Sequence, residues 1–284
     1  MIELKADKIY FLGPEGSYSH KALEGFCDLF EIKANDKQPV KTIKGVLKAV
    51  DLDKNSFGVI PIENSIEGIV REAIDNLIKV EDHDFRIMGE FNLSVDHCLL
   101  SKASNIKEIT TVISHPQALA QCSNYLETNL GEIQTLESTS TSAAAKQVAK
   151  QGASYAAISN ELAAKFFDLN VLDKSINDEK DNQTRFLLIG RVSMPQTGFD
   201  KTSIAFSTKN TAGALFKVLE VFNKYELNLS YIDSRPSKKN LGEYNFFIDF
   251  EGHCDDSKVE MALSEIKPYV SFFRNNGSFP RYKK

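Results

Sequence analysis

The sequence predicts an α/β protein with two lobes, followed by a smaller α+β domain. Three observations support this fold class. Short apolar segments alternate with helical patterns over the first two thirds of the chain, as they do in βα units. The segment Arg191–Lys201 contains Ser, Pro, Gln, Thr and Gly, a composition typical of a linker. After this linker the order of predicted elements changes, so residues 202–284 are expected to form a separate domain.

The βα units of the first domain, residues 1–190, follow one another in a regular order. The predicted strands are Lys8–Leu12, Phe57–Ile62, Thr110–Ile113, Ile133–Leu136 and Tyr155–Ile158. The helices after them are predicted over Ser19–Phe30, Ile66–Ile78, Pro116–Leu130, the alanine-rich segment that ends at Lys150, and the segment that ends at Phe167. Because crossover helices connect parallel strands, we expect a largely parallel sheet.

A longer apolar segment, Phe91–Leu100, interrupts this alternation and is predicted as one strand. It separates two groups of βα units, so we expect two lobes with a cleft between them, as in periplasmic binding proteins. The first lobe would contain residues 1–82 and 170–190, and the second lobe residues 83–169. The segment Thr184–Gly190 would return to the first lobe as its last strand.

The domain after the linker is predicted to be ferredoxin-like. Its strands are predicted over Thr202–Ser207, Leu229–Ser234, Tyr244–Phe250 and Val270–Phe273. Helices are predicted over Ala212–Tyr225 and Ser257–Ile266. Taken in chain order, these elements give the βαββαβ arrangement of that fold.

Composition and charge exclude several classes of function. Hydrophobic residues make up 42% and charged residues 26% of the 284, which is typical of a globular protein. The net charge is −5 and no run of Lys and Arg forms a basic surface, which argues against a nucleic-acid partner. No apolar segment is long enough to cross a bilayer, and no signal peptide precedes the first strand. We therefore expect no membrane partner and a cytoplasmic protein.

The sequence also predicts no metal and no cofactor. The four cysteines form no Cys-x-x-Cys pair, and His97 beside Cys98 does not supply the four ligands of a zinc site. The glycine-rich segment Gly13–His20 has neither the spacing of a dinucleotide fingerprint nor that of a phosphate-binding loop.

Polar turns follow the predicted strands of the first domain, and each turn leads into a helix. In open α/β sheets ligands bind at this edge, and helix N-termini attract anions. Each polar residue taken alone could be a simple helix cap. Together the turns predict a small ligand with several negative charges. The short polar residues of these turns are Ser17, Ser65, Ser138, Thr139, Ser140 and Asn160.

The hexapeptide Asp181–Phe186 is the most informative segment of the chain. It places the hydroxyl of Thr184 and the guanidinium of Arg185 at the start of an apolar strand, where a ligand could contact them. The alternative is a loop that enters a strand, with Thr184 favoured there because it is β-branched. Glu63 and Glu67 flank another turn, where either a capping role or a role in a site remains open.

These motifs, in this order, resemble prephenate dehydratase over residues 8–190. The matching segments are Gly13–His20, Gly58–Gly68, Ser114–Leu119, Glu137–Ser140 and Asn182–Phe186. Residues 202–284 resemble the ACT regulatory domain that follows this catalytic domain in many bacteria. The matches there are Asn210–Leu215 and Asp233–Pro236, although that family usually has Glu at the position of Asp233 and often Val or Leu at that of Phe216.

The resemblance implies the decarboxylating dehydration of prephenate to phenylpyruvate, CO₂ and water, without a cofactor. It also implies inhibition by L-phenylalanine and assembly as a homodimer or homotetramer. Many relatives carry a chorismate mutase domain before the dehydratase, and this chain begins at the dehydratase, so we expect a monofunctional enzyme. Two readings stay open: arogenate as the substrate, and a non-catalytic sensor of small molecules, since a two-lobed cleft also suits a binding module.

The resemblance assigns roles to individual residues. Thr184 would act on the departing hydroxyl, with Glu63 as the alternative acid. The residues expected to bind substrate are Ser17, Asn64, Ser65, His115, Gln117, Ser138, Thr139, Asn160, Arg185 and Phe186. The residues expected to bind phenylalanine are Asn210, Ala212, Gly213, Ala214, Leu215, Asp233, Ser234, Arg235 and Pro236.

Overall fold

The computed structural model describes residues 4–79, 83–238 and 242–283, which form three sheets with helices packed against them. The strands are β1 (Lys5–Leu12), β2 (Lys33–Val40), β3 (Ser56–Asn64), β4 (Gly68–Ile69), β5 (Arg86–Ser94), β6 (Cys98–Ser101), β7 (Thr111–Ser114), β8 (Gln134–Glu137), β9 (Tyr155–Ser159), β10 (Asn170–Asp173), β11 (Gln183–Gly190), β12 (Asp200–Thr208), β13 (Leu229–Pro236), β14 (Tyr244–Glu251) and β15 (Val270–Pro280). The helices are α1 (Tyr18–Leu29), α2 (Ile43–Leu52), α3 (Arg71–Leu77), α4 (Pro116–Ala120), α5 (Ser123–Leu130), α6 (Thr141–Val148), α7 (Glu161–Phe167), α8 (Ala214–Lys224) and α9 (Ser257–Ile266).

The first lobe is built on a mixed sheet of order β2-β1-β3-β11-β5, with β4 paired to β3. β1 lies between the parallel strands β2 and β3, whereas β11 runs antiparallel to both β3 and β5. Helix α1 covers one face of the sheet, and helices α2 and α3 pack on the other. Since both faces are covered, the central strands are almost continuously apolar.

The second lobe is built on a sheet of order β10-β6-β9-β7-β8. β7 is parallel to β8 and β9, and β6 is antiparallel to β9 and β10. Helices α6 and α7 pack on one face, while α4 and α5 pack on the other. Both sheets are therefore mixed, and the prediction of a largely parallel sheet was wrong.

The predicted strand Phe91–Leu100 is in fact two strands that belong to different sheets. β5 pairs with β11 in the first lobe, and β6 pairs with β9 in the second. The chain crosses from the first lobe to the second between β5 and β6, and it returns between β10 and β11. The two connections run side by side, and Val95 N donates to Asn182 O at 2.8 Å. Because β10 pairs with β6, residues 83–94 belong to the first lobe and residues 170–173 to the second, contrary to the predicted lobe boundaries. The apolar segment is buried along most of its length, so its composition does not mark where the chain changes sheets.

Other predicted elements also need correction. The helix expected over Ile66–Ile78 begins only at Arg71, because β4 occupies the segment before it. The helix expected over Pro116–Leu130 is broken at Gln121 and Cys122. Strand β2 and helix α2 were not predicted. β2 is an edge strand with five polar residues among its eight, so it lacks the apolar signal of a buried strand.

The third sheet has the order β13-β14-β12-β15, with every pair antiparallel, and helices α8 and α9 cover one face of it. This is the predicted βαββαβ order. The other face packs on the α2 and α3 side of the first lobe, where Ala205, Phe247 and Phe279 join the core of that lobe. β15 extends beyond its predicted end, and a Cβ at Gly277 (φ 125°) would lie 2.5 Å from Ile87 O. Glycine therefore allows β15 to approach β5. No helix in the described part of the chain is long and apolar enough to cross a membrane.

Candidate active site

A cleft of about 390 Å³ lies between the two lobes, where both sheets end in polar turns. The first lobe contributes the loop before α1 and the ends of β3 and β11, and the second lobe contributes the turns before α4 and α6. Among its lining residues are Leu12, Gly13, Pro14, Ser17, Tyr18, Asn64, Glu67, His97, His115, Gln117, Gln121, Thr139, Ser140, Thr141, Asn182, Thr184 and Phe186. Of the described residues around it, Glu67 is the only one with a carboxylate, and none is Lys or Arg.

Thr184 is held in the cleft by Asn64 on the neighbouring strand. The two residues are paired in the register of β11 and β3, and Asn64 Nδ2 donates to Thr184 Oγ1 at 2.9 Å. The orientation of the amide follows from its own contacts, because Asn64 Oδ1 accepts from the backbone N–H of Ile66 and of Glu67. Since Thr184 Oγ1 is the acceptor in this bond, its O–H remains available to donate to a ligand.

A chain of hydrogen bonds continues from this pair deep into the cleft. Asn64 Nδ2 also donates to Asn182 Oδ1 at 2.8 Å, and Asn182 Nδ2 donates to Gln121 Oε1 at 3.4 Å. Gln121 Oε1 lies 3.1 Å from His97 Nε2, and His97 Nδ1 lies 2.8 Å from the Tyr18 hydroxyl. Because Gln121 Oε1 only accepts, His97 Nε2 donates to it, and the Tyr18 hydroxyl contacts both His97 Nδ1 and Asp96 O, the latter at 2.9 Å. Gln121 Nε2 is buried without a hydrogen bond inside the described protein, so it can donate to a substrate oxygen.

Two helix N-termini supply the positive potential that the cleft lacks in side chains. Ser17 caps α1 by accepting from His20 N, and Ser140 caps α6 by accepting from Ala143 N. Both caps line the cleft, together with Thr139 and Thr141. Unpaired N–H groups and the helix dipole at such an end favour an anion. The cleft thus combines a hydroxyl donor, amide donors and two anion-binding turns.

A second cavity of about 440 Å³ lies between α1, the linker and residues 280–283. Its lining is mostly apolar and includes Phe30, Met194 and Phe199. The buried carboxylate in its wall, Glu90, is already paired with Arg185 and Lys201. The interlobe cleft is the candidate active site because, among the described residues, unpaired donors from several elements converge there.

Comparison with known proteins agrees with this assignment. A family model described as prephenate dehydratase matches residues 9–194. The chain belongs to the prephenate dehydratase family. It is therefore an enzyme of the lyase class.

Relatives match over most of their length. A prephenate dehydratase of Methanocaldococcus jannaschii is 39% identical over 278 residues, which cover 96% of this chain and 97% of that protein. The bifunctional chorismate mutase/prephenate dehydratase of Aquifex aeolicus is 40% identical over 277 residues, with coverage of 98% and 74%. The solved structure of the Arthrobacter aurescens prephenate dehydratase in complex with L-Phe has a TM-score of 0.86 and 31% identity, and covers 96% of this chain and 90% of that chain.

The structure brings together many of the residues that the family resemblance suggested, and several that sequence reasoning missed. The predicted residues that line the cleft are Ser17, Asn64, His115, Gln117, Thr139, Thr184 and Phe186. The missed ones are Tyr18, His97, Gln121 and Asn182. Tyr18 and Asn182 lie inside motifs that had been recognised, so their position was a usable signal. Gln121 gave no signal, because it was placed in the middle of a predicted helix.

Arg185 and Glu63 do not line the cleft, which corrects the substrate-binding and catalytic roles predicted for them. The two residues are paired in register, so they share one face of the sheet, opposite to the face of Thr184 and Asn64. Arg185 forms ion pairs with Glu90 and with Asp249 of the third sheet. The alternation of side chains along β11 decides this outcome, since neighbouring residues of a strand point to opposite faces.

Three further predicted residues lie outside the cleft lining. Asn160 is fully buried and joins the lobes, because its Nδ2 donates to Gly16 O at 2.9 Å and its Oδ1 caps α7. Ser65 Oγ accepts from Gln183 N at 3.0 Å. Ser138 pairs through its backbone with Ser114 and does not reach the cleft. For Asn160 and Ser65 the structure shows roles in holding the site together.

Burial lowers the pKa of three histidines, His20, His97 and His83, the last to about 4. Below a pH of about 6.5 the unfolded chain binds protons that the folded chain cannot bind until the pH falls through the lowered pKa values. The free energy of unfolding should therefore be insensitive to these groups above that pH and should decrease as the pH falls from about 6.5 to about 4.5. Urea titrations across this range measure the loss, and His83→Gln should reduce it. An unchanged free energy of unfolding would contradict the prediction.

The domain built on the third sheet, called the third domain below, has a pocket of about 430 Å³ that contains part of the predicted phenylalanine site. Its lining includes Asn210, Gly213, Ala214 and Leu215. Ala212 and the segment Asp233–Pro236 are not part of that lining. Within one chain, the two halves of the predicted effector site are thus not brought together.

A second His-Cys pair, His253-Cys254, was overlooked in the sequence. With Asp255 it forms a group whose possible ligand atoms lie within 4.8 Å of one another. His253 Nδ1 accepts from Asp255 N, and its Nε2 lies 3.0 Å from Met194 O. Because both ring nitrogens already have partners, this cluster gives no reason to propose a metal site.

Proposed function

We propose that the interlobe cleft binds prephenate and that Thr184 donates a hydrogen bond to the hydroxyl that leaves during its conversion to phenylpyruvate, CO₂ and water. The contact between Asn64 Nδ2 and Thr184 Oγ1 carries the proposal. It occupies a lone pair of the threonine oxygen and leaves the O–H free to donate. A threonine is a very weak acid, so Thr184 acts as a donor or proton relay rather than as a classical general acid.

The chemistry requires little beyond orientation and hydrogen bonds. Loss of the ring carboxylate as CO₂ sends an electron pair into the ring and expels the hydroxyl from C4, and aromatisation drives both steps. The side-chain carboxylate remains, and the N-termini of α1 and α6 are suited to hold it. Gln121 Nε2 offers a further donor. Since the departing hydroxyl takes the electron pair of the C4–O bond and is protonated to water, the reaction needs no external electron sink and no cofactor.

A single assay separates this function from its alternatives. The protein is incubated with prephenate and, separately, with arogenate, and the formation of phenylpyruvate or phenylalanine is followed. Faster turnover of prephenate supports the proposal, whereas a preference for arogenate would change the substrate. If neither compound reacts while both bind, the protein is a sensor. Activity should survive EDTA, and loss of activity that added metal restores would overturn cofactor independence.

We also propose that L-phenylalanine binds the third domain, as an ACT domain, and inhibits the catalytic domain. The similar Arthrobacter aurescens structure contains L-Phe. In this chain, Gly213 has φ 76° at the start of α8, and a Cβ there would meet no atom within 4 Å, so the backbone faces open space in the pocket. A ligand can therefore approach the main chain closely at this turn.

We expect the effector site to be completed by a second copy of the chain. Asp233–Pro236 lies on β13, the edge strand of the third sheet, and Ile232 and Tyr244 are exposed beside it. An edge strand with exposed apolar residues favours pairing with another chain. Light scattering should give a mass of at least twice the 31.8 kDa of one chain, and L-phenylalanine should favour the assembly. A monomer at every working concentration would refute the expected homodimer or homotetramer.

A further inference from the structure

Strand β11 presents neighbouring side chains to two different parts of the protein. Thr184 lies in the cleft, whereas Arg185 lies on the opposite face, where the third domain packs. Only one peptide unit separates the catalytic hydroxyl from a side chain that contacts the other domain. A shift of Arg185 along or away from the sheet therefore displaces the backbone that positions Thr184.

Arg185 belongs to a buried group of four charges contributed by both domains, here called the interdomain charge cluster: Arg185, Glu90, Lys201 and Asp249. Arg185 Nε lies 2.7 Å from Glu90 Oε2, and Lys201 Nζ lies 2.9 Å from the same oxygen. Arg185 Nη2 lies 2.6 Å from Asp249 Oδ2, an ion contact without the alignment of a hydrogen bond. The side chains of Glu90 and Asp249 are 4% and 0% exposed. The two positive and two negative charges balance.

Because the cluster is buried, moving its opposite charges apart would destabilise the protein. An unpaired charge in a protein interior is far less stable than a paired one, so Asp249 and Arg185 are held together as long as both stay buried. Asp249 lies in the middle of β14, fully buried on the face of the third sheet that packs on the first lobe. The position of the third domain on the first lobe is therefore tied to the position of Arg185.

The strand with half of the predicted effector site reaches the same cluster. Tyr231 of β13 packs its ring 6.0 Å from Arg185 Cζ, and β13 also carries Asp233–Pro236. Outside this cluster, Asp75 of α3 forms ion pairs with Arg235 of β13 and with Lys238. The side chains of Asp75 and Arg235 are about one fifth exposed. That pair contacts a helix rather than the strand that carries Thr184, so it offers a natural comparison.

We propose that Arg185, through its ion pairs with Glu90 and Asp249, couples the position of the third domain to the position of Thr184 in the cleft. Arg185 is a positioning residue, since it contacts neither the cleft nor the effector pocket. This inference rests on the proposed inhibition by L-phenylalanine. It accounts for the presence of a guanidinium beside the catalytic threonine, although no guanidinium of the described residues lines the cleft.

The test is Asp249→Asn, which removes the negative charge that Arg185 contacts across the interface and leaves Glu90 paired with both Arg185 and Lys201. Without effector, kcat and KM for prephenate should stay within about threefold of wild type. The phenylalanine concentration for half-maximal inhibition should rise at least about tenfold, within the usual range of allosteric coupling. Phenylalanine binding, measured by calorimetry, should persist. The control Asp75→Asn weakens the ion pairs of Asp75 with Arg235 and Lys238, which also join the domains, and should leave inhibition unchanged.

Two results would overturn the inference alone: wild-type potency of phenylalanine on Asp249→Asn, or an equal loss of inhibition in Asp75→Asn, which would indicate general loosening of the domains. A wild-type protein that neither binds nor responds to phenylalanine would overturn the proposed regulation, and the inference with it. If Asp249→Asn does not fold, Asp249→Ser removes the same negative charge and leaves Arg185 paired with Glu90. That variant should likewise turn over prephenate and resist inhibition.

Discussion

Thr184→Ala is expected to lower kcat by about 10²–10³-fold with little change in KM, by analogy with the loss of one oxyanion-hole donor. The hydroxyl matters most as charge develops on the departing oxygen, so its removal should affect the transition state more than the bound substrate. The alanine also leaves Asn64 Nδ2 its other acceptors, Asn182 Oδ1 and Gln183 O, so the local fold should persist. Steady-state kinetics with prephenate measure the effect.

Thr184→Ser is the matched control, because it retains the hydroxyl and removes only a methyl group. It should keep most of the activity if the O–H donor is what Thr184 contributes. An alanine variant within threefold of wild type would remove Thr184 from the mechanism. An equal loss in the serine and alanine variants would assign the residue a packing role instead.

Gly213→Val should abolish inhibition by L-phenylalanine. In the wild type the ligand should lower the affinity for substrate by about 5–150-fold, and in the variant it should have no effect. The added side chain would occupy open space at the pocket, and the φ of 76° is one that β-branched residues avoid. Activity without effector should remain near normal, because Gly213 is outside the catalytic domain. Inhibition curves for the variant and the wild type measure the difference.

Gly131→Val controls for the strained backbone. Gly131 follows α5 in the second lobe, has φ 64°, and likewise has no atom within 4 Å of an added Cβ. It should be destabilised in a similar way and still respond to phenylalanine. Undiminished inhibition of Gly213→Val would place the effector site elsewhere. Loss of catalysis in the same variant would show that the domains do not act separately.

Much of the site follows from local patterns in the sequence. A polar turn between an apolar strand and a helix places its residues at the edge of a sheet, and several such turns converge wherever the sheets face each other. This reasoning located Ser17, Thr139 and Ser140, which line the cleft, and the family resemblance added Asn64 and His115. It could not locate Gln121, whose role depends on a break between α4 and α5 that no glycine or proline marks.

The lobes themselves were harder to delimit. The apolar segment Phe91–Leu100 satisfies the burial requirement of either sheet, so its composition is compatible with one strand or with two. Its partners decide the question: β11 pairs with the first half and β9 with the second. Those partner strands are distant in sequence, so the residues of Phe91–Leu100 themselves do not show which strands they pair with.

The sequence alone determined most of the residues that have the chemistry: the hydroxyl of Thr184, the amide of Asn64 and the guanidinium of Arg185 are in the recognised motifs, whereas the amide of Gln121 is not. Only the tertiary structure decided which of them face the substrate. A register shift in the pairing of β3 with β11 places Asn64 opposite Thr184 and Glu63 opposite Arg185, so that each pair shares a face. The third domain then covers the second pair and supplies Asp249 to Arg185. The sequence shows which residues of a strand lie on the same face. Which face meets the cleft depends on what packs against each face, and in β11 the face of Arg185 is covered by another domain.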